Sequence, residues 1–128
     1  MHYVLLCYHT EKTVRAWSQA EDDAVMARLT VVHEQLIQEG KLGPVARLMP
    51  TTAATTLRKG KEPVVLDGPF AETKEQLLGF YVIDCKDLED ALSVARRLGV
   101  ANPDGAYEIR PIMLMYESGS LTPAISRA

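Results

Sequence analysis

The chain has 128 residues, of which 47% are hydrophobic and 24% are charged, as expected for one globular domain. Its net charge of −3 gives no general attraction to nucleic-acid phosphates or anionic lipids, so we expect neither as a partner. Two cysteines are too few for a disulfide scaffold, and no apolar run is long enough to cross a membrane. The N-terminal residues lack the pattern of a secretion signal, and we therefore expect a cytoplasmic protein.

Residues 2–8 predict a first strand, because they are rich in aromatic and β-branched side chains and contain no breaker. Alternate side chains of a strand point to opposite faces. One face carries Tyr3, Leu5 and Cys7, and the other carries His2, Val4, Leu6 and Tyr8. Both faces are mostly apolar, which indicates a strand that is covered on both sides.

A helix is predicted between Ser18 and Gly40. Ser18 fits an N-cap, and Glu21 completes a capping box three residues later. Apolar residues then recur every three or four positions, which is typical of a helix with one buried stripe. They are Val25, Leu29, Val32 and Leu36. The preceding residues 9–17 are interpreted as a connection.

A second strand over residues 42–48, interrupted by Pro44, precedes a predicted hairpin. The arms of this hairpin are residues 53–58 and 63–66, and its tip is the charged segment 59–62. Threonines in and just before the first arm suit a half-exposed ribbon.

Residues 79–85 predict another strand that is apolar on both faces. Asp87 fits the cap of a second helix, which we expect to end at Gly99. Its buried stripe is predicted to comprise Leu88, Ala91, Leu92, Ala95 and Leu98. The last strand is expected over residues 107–116, and residues 117–128 form a tail without periodicity, either mobile or docked on a partner.

The predicted order, β-α-β-hairpin-β-α-β, defines an α+β domain over residues 1–116: a ferredoxin-like βαββαβ fold with an inserted β-hairpin. Right-handed crossovers place the first and third main strands in the centre and the last at an edge, where Pro111 is tolerated. Two helices cover only one face of such a sheet, although both central strands are apolar on both faces. We therefore expect a homodimer in which two sheets pack face to face, a dimeric α+β barrel.

A ten-residue segment before the third main strand carries a resemblance to a known family. It reads Asp67-Gly68-Pro69-Phe70-Ala71-Glu72-Thr73-Lys74-Glu75-Gln76, and Gly79-Phe80-Tyr81 follows. Over residues 3–112 the chain resembles YCII-related proteins of the branch called DGPF-domain proteins. The resemblance implies a ferredoxin-like dimer. Some relatives occur beside or fused to sigma-factor-like proteins, which implies regulation, and the wider superfamily includes small ring-processing isomerases.

Asp67 and His33 are the candidate catalytic residues. Asp67 and Gly68 belong to a turn, which serves structure alone or also presents a carboxylate and the Gly68 amide to a ligand. His33 lies at the border of the helical stripe and is either a boundary histidine or a general base, since histidine titrates near neutral pH. Some YCII-related proteins carry a His/Asp pair proposed as catalytic, and His33 is the one histidine of the predicted first helix.

Arg110 and Tyr81 are the candidate substrate-binding residues, together with Gly68. Arg110 and Glu108 share a face of the last strand, where they form an ion pair between sheets, lie at an exposed edge, or present Arg110 to an anion. Tyr81 is either a core residue or a hydrogen-bonding group in a cavity.

Three functions remain open: a small-molecule enzyme of isomerase or lyase type using acid/base chemistry, a non-catalytic ligand-binding or regulatory dimer linked to sigma factors, and a structural dimerisation module. A cavity with a perturbed ionisable pair favours the first. No nucleotide-binding motif and no spacing of metal ligands occurs, so we expect neither a cofactor nor a metal.

Overall fold

The computed structural model describes residues 1–125, which contain eight strands, three α-helices and a short 3-10 helix, Thr51–Ala53. The strands are β1 (His2–His9), β2 (Leu42–Arg47), β3 (Thr55–Arg58), β4 (Val64–Asp67), β5 (Gln76–Asp84), β6 (Ala106–Pro111), β7 (Leu114–Tyr116) and β8 (Pro123–Ile125). The helices are α1 (Glu11–Arg15), α2 (Gln19–Gln38) and α3 (Leu88–Ala101).

The main sheet is antiparallel and has the strand order β2-β5-β1-β6. The two central strands are the first and third main strands of the sequence, and the last one, β6, is at an edge. This arrangement confirms the predicted ferredoxin-like α+β fold. The inserted hairpin is also confirmed: β3 pairs with β4 in a separate two-stranded sheet.

The predicted capping box begins α2. The Ser18 hydroxyl accepts a hydrogen bond from the Glu21 amide at 3.1 Å, and the Glu21 carboxylate accepts one from the Ser18 amide at 3.4 Å. Gly40 follows the helix with a φ of +72°, a conformation that glycine adopts without strain. The sequence therefore predicted both ends of α2 correctly.

The helices cover one face of the sheet, and the core lies between them. The largest fully buried side chains there are Leu5, Leu36, Ile83, Val94 and Leu98. On the opposite face, Val4 pairs with Val82 and Leu6 pairs with Phe80, and all four residues are only half-buried. The chain therefore has one complete core and a second apolar sheet surface that its two large helices do not cover.

The predicted connection over residues 9–17 contains the short helix α1, which the sequence analysis missed. Glu11 is 9% exposed, and its two carboxylate oxygens accept hydrogen bonds from the Thr51 amide and hydroxyl. The Glu11 amide donates to the Gln76 side chain at 2.9 Å. These tertiary contacts hold a segment that is too short for an independent helix.

The end of the second helix was predicted wrongly, because α3 continues past Gly99 to Ala101. Ala101 is buried, and this packing outweighs the cost of about 1 kcal/mol for a glycine inside a helix. The predicted stripe also needs correction at Leu88, which is 52% exposed at the start of the helix. Val94 is buried instead.

The last strand was predicted as one element over residues 107–116 but is two. Strand β6 ends at Pro111, and the chain leaves the main sheet after a last hydrogen bond from the Ile112 amide to the His2 carbonyl at 2.9 Å. Residues 114–116 pair with residues 123–125 as the hairpin β7–β8. Part of the predicted tail is therefore a strand, and its residues 126–128 lie outside the described part of the chain.

Candidate functional site

A cavity of about 260 Å³ lies between α2 and the helix-facing side of the main sheet. Its lining includes Cys7, Trp17, Leu29, His33, Tyr81 and Tyr107. The sheet places Cys7 between Gly79 and Tyr107, its partners on the two neighbouring strands. These three residues form a row across three strands, which is the floor of the cavity. Side chains of α1 and α2 form its walls.

Two irregularities of the sheet shape this floor. Cys7 pairs with Gly79 and Tyr8 with Leu77, so Leu78 is an extra residue that lines the cavity. A Cβ atom at Gly79 would overlap the carbonyl oxygen of Ala46. The close approach of β2 and β5 therefore requires glycine at this position, which leaves the floor without a side chain there.

His33 and Tyr81 form the central polar contact of the cavity. His33 Nε2 and the Tyr81 hydroxyl oxygen are 2.9 Å apart, and the two rings meet edge to face. The sequence separates them by 48 positions, and the packing of α2 on β5 brings them together. Tyr107 meets Tyr81 in a second edge-to-face contact, with ring centroids 6.4 Å apart.

Burial decides the protonation of these groups. It lowers the pKa of His33, so the imidazole is neutral at neutral pH. Burial, with a smaller effect of the neighbouring Cys7, raises the pKa of Tyr81 to about 12, so its hydroxyl keeps its proton. If Nδ1 of His33 carries the ring proton, the Tyr81 hydroxyl donates to Nε2. In the other tautomer Nε2–H donates, and the hydroxyl is free to donate to a ligand.

Burial also disfavours the reactive form of Cys7. Burial raises the pKa of its thiol to about 12, and the thiolate is the reactive form of cysteine. Burial likewise raises the pKa of Tyr107. The cavity is thus lined by neutral groups near His33.

The free energy of unfolding should fall as the pH drops below about 6.5, the ordinary pKa of histidine. Burial lowers the folded-state pKa of His33, so the unfolded chain binds more protons between the lowered value and the ordinary one. Stability therefore rises with pH within that window and is constant above it with respect to His33. Denaturant titrations between about pH 5 and about pH 7.5 measure the slope. A His33→Gln variant should show a smaller slope; an unchanged slope would contradict the assignment.

The structure separates the other predicted site residues from this pair. Arg110 is opposite Val4 in the sheet, on the face away from the helices, whereas Tyr81 is opposite Leu5 on the helix-facing side. Asp67 ends β4 with an exposed side chain and does not line the cavity. Of the five predicted residues, the structure brings together only His33 and Tyr81.

Gly68 shapes the end of the inserted hairpin. Its φ is +102°, which favours glycine. Its amide donates to the Ala54 carbonyl at 2.8 Å, and its carbonyl accepts from the Thr56 hydroxyl at 2.8 Å. Both bonds join the turn to the other arm of the hairpin, at Thr56 in β3 and at Ala54 just before it, which supports the structural interpretation of the Asp67–Gly68 turn.

Six residues of the segment 67–76 line a different cleft, an open one of about 610 Å³ beside α1, and Asp67 and Gly68 are not among them. The Gln76 side chain donates to the Thr73 carbonyl at 2.6 Å and accepts from the Glu11 amide. Helix α1 therefore separates the two spaces: Val14 lines the cavity, and Glu11 lines the cleft.

Several cavity residues were missed by the sequence analysis. Arg47 lines the cavity, and alternation with Val45 along β2 is the signal that could have placed it on the helix-facing side. Tyr107 lines it too, and its alternation with Ile109 on β6 is a similar signal. Trp17 gave no signal, because residues 9–17 have no periodicity.

Among residues 1–125, no group of three or more His, Cys, Asp or Glu side chains is placed to hold a metal ion. None of the helices described there combines the length and apolarity needed to cross a membrane.

The family model of the YCII-related domain matches residues 1–116, and the chain belongs to the YCII-related family. It is also similar to an uncharacterized protein of Rhizobium meliloti strain 1021. The two are 57% identical over 123 residues, which cover 94% of this chain and 98% of the relative.

Proposed function

We propose that the cavity binds a small, mostly apolar molecule and that His33 and Tyr81 move a proton on it, as in an isomerase or lyase. The observation that carries this proposal is the 2.9 Å contact between His33 Nε2 and the Tyr81 hydroxyl inside the cavity.

We also propose that the chain belongs to the DGPF branch of the family, because it contains the segment 67–76.

The two groups suit a proton relay. The Tyr81 hydroxyl accepts a proton from an acidic C–H group of the ligand and passes its own proton to Nε2 of neutral His33. The imidazolium returns the proton to the tyrosine oxygen, which delivers it to the same or a neighbouring carbon. Both groups start in the required state, since burial keeps the imidazole neutral and the phenol protonated.

Hydrogen–deuterium exchange at carbon tests the proposal directly. The protein is incubated in D₂O with a panel of small ketones and lactones, and ¹H NMR follows the loss of signals next to the carbonyl group. We expect accelerated exchange for at least one compound that also shifts amide resonances of Tyr81 and its neighbours. Binding without exchange would favour the alternative, a ligand-binding or regulatory module. Exchange that survives in Tyr81→Phe would rule out the relay.

A homodimer is the second part of the proposal. Val4, Leu6, Phe80 and Val82 form an apolar surface on the face that the large helices leave open. Arg110 and Glu108 flank it on the edge strand β6, where a second copy would bring opposite charges within reach. Two such faces packed together would bury the surface of both central strands, as in a dimeric α+β barrel.

The Val82→Glu variant should be monomeric where the native chain is a dimer, because a carboxylate in an apolar interface is left unpaired. Light scattering coupled to gel filtration at micromolar concentration gives the mass of both. Val100→Glu is the matched control, since Val100 is 83% exposed on α3 and should leave the dimer intact. A monomeric native chain would contradict the dimer.

A further inference from the structure

Arg47 is the one lysine or arginine among the described residues that line the cavity. It ends β2 opposite Gly79, while Val45 is opposite Tyr81. Residues opposite each other on neighbouring strands share a face of the sheet, and so do residues two apart on one strand. Arg47 and Tyr81 therefore both lie on the helix-facing side of the sheet. The single fixed positive charge of the cavity therefore lies on the same floor as the His33–Tyr81 pair.

The guanidinium of Arg47 already holds a carboxylate. Its two terminal nitrogens donate to the two carboxylate oxygens of Asp22, at 2.8 and 3.3 Å. The hydrogen bonds lower the pKa of Asp22, so this carboxylate is charged at neutral pH. Two parallel bonds of this kind are the geometry by which arginine recognises carboxylates.

This ion pair can be exchanged at little cost. The Arg47 side chain is 55% exposed and that of Asp22 is 26% exposed. Exposed pairs contribute only about 0.2–1 kcal/mol, so a ligand carboxylate competes with Asp22 without breaking the fold. Asp22 lies in the first turn of α2, where the helix also stabilises a negative charge after Arg47 is released.

Among the described lining residues there is no other lysine or arginine, and Nδ1 of the lining residue His9 accepts a hydrogen bond from the Thr10 amide at 2.7 Å. His33 is neutral, and Tyr81, Tyr107 and Cys7 keep their protons. The one acidic residue of the lining, Asp104, is exposed in the turn before β6. A ligand with a negative charge thus has one place for it, at Arg47.

We propose that the ligand of this cavity is a small carboxylic acid whose carboxylate replaces Asp22 on Arg47. Its apolar body then covers Gly79 and reaches the His33–Tyr81 pair. Asp22 acts as an internal competitor that occupies Arg47 while the cavity is empty. This inference rests on the proposed ligand-binding function, because it names the class of ligand for the same cavity.

The test compares carboxylic acids with their own amides. A panel of aryl and alkyl carboxylates, each with the matching carboxamide, is titrated into ¹⁵N-labelled protein, and amide shifts of cavity residues give the Kd values. We expect the native chain to prefer the acid. Asp22→Asn should strengthen binding of the acid about two- to fivefold, the factor that corresponds to an exposed ion pair, and leave the amide unchanged. Arg47→Met should abolish the preference.

Glu39→Gln is the matched control. Glu39 forms a similar two-bonded pair with Arg97, at 2.9 and 2.7 Å, which does not line the cavity. Its loss removes the same charge and should not change the affinity for the acid. Equal binding of acid and amide by the native chain, or weaker acid binding in Asp22→Asn, would overturn the inference while the cavity stands. If no compound shifts cavity residues, the ligand-binding function itself fails.

Discussion

Replacing His33 with glutamine should lower the rate of proton exchange at the ligand carbon by about 10²- to 10⁴-fold, the usual contribution of a positioned acid/base group. Glutamine keeps a hydrogen-bonding group near the Tyr81 hydroxyl, so the cavity retains its shape. It has no group that takes up a proton near neutral pH. The rate is measured by ¹H NMR in D₂O on the compound that exchanges fastest with the native chain.

His2→Gln provides the control for this variant. His2 is on β1 on the face away from the helices, beside Asp84, and does not line the cavity. Its replacement should leave the exchange rate within about twofold of the native value. Equal losses in the two variants would point to a general effect on folding, and no loss in His33→Gln would remove the histidine from the mechanism.

The Leu36→Ala variant should lower the free energy of unfolding by about 3 kcal/mol. Leu36 is completely buried on α2 and belongs to the core between the helices and the sheet. Removing its side chain loses buried apolar surface and leaves a void that tightly packed neighbours fill only in part. Urea denaturation monitored by circular dichroism measures the change.

The neighbouring residue gives a matched comparison. Ile37 is 61% exposed on the same helix, and alanine has the higher helix propensity, so Ile37→Ala should change stability by no more than about 0.5 kcal/mol. Similar losses at positions 36 and 37 would contradict the described orientation of α2.

The segment that carries the family resemblance and the candidate active site are distinct parts of this protein. Six residues of the segment 67–76 line the open cleft beside α1, and the His33–Tyr81 pair lies in the cavity under α2. Between them, Glu11 accepts hydrogen bonds from Thr51 and is joined through Gln76 to Thr73. The segment thus helps to hold the short helix that walls the cavity.

Local sequence determined most of the fold. The Ser18 and Glu21 pattern specifies the start of α2, because both capping bonds join residues three apart. Short runs that are apolar on both faces identified the two central strands, and the rule for right-handed crossovers placed them correctly. Two of the errors fell where distant contacts decide: at α1, which Thr51 and Gln76 hold, and at the end of α3, where Ala101 packs into the core.

The candidate site was decided by the tertiary structure. The sequence indicated the two residues as candidates separately. His33 lies at the border of a helical stripe, and Tyr81 is an aromatic residue on a central strand. Their contact spans 48 positions and depends on how α2 rotates and lies on β5. The pair of Arg47 with Asp22 likewise joins β2 to the first turn of α2. Periodicity specifies the face on which a side chain lies, whereas the distance between two side chains depends on packing between elements, which local patterns do not encode.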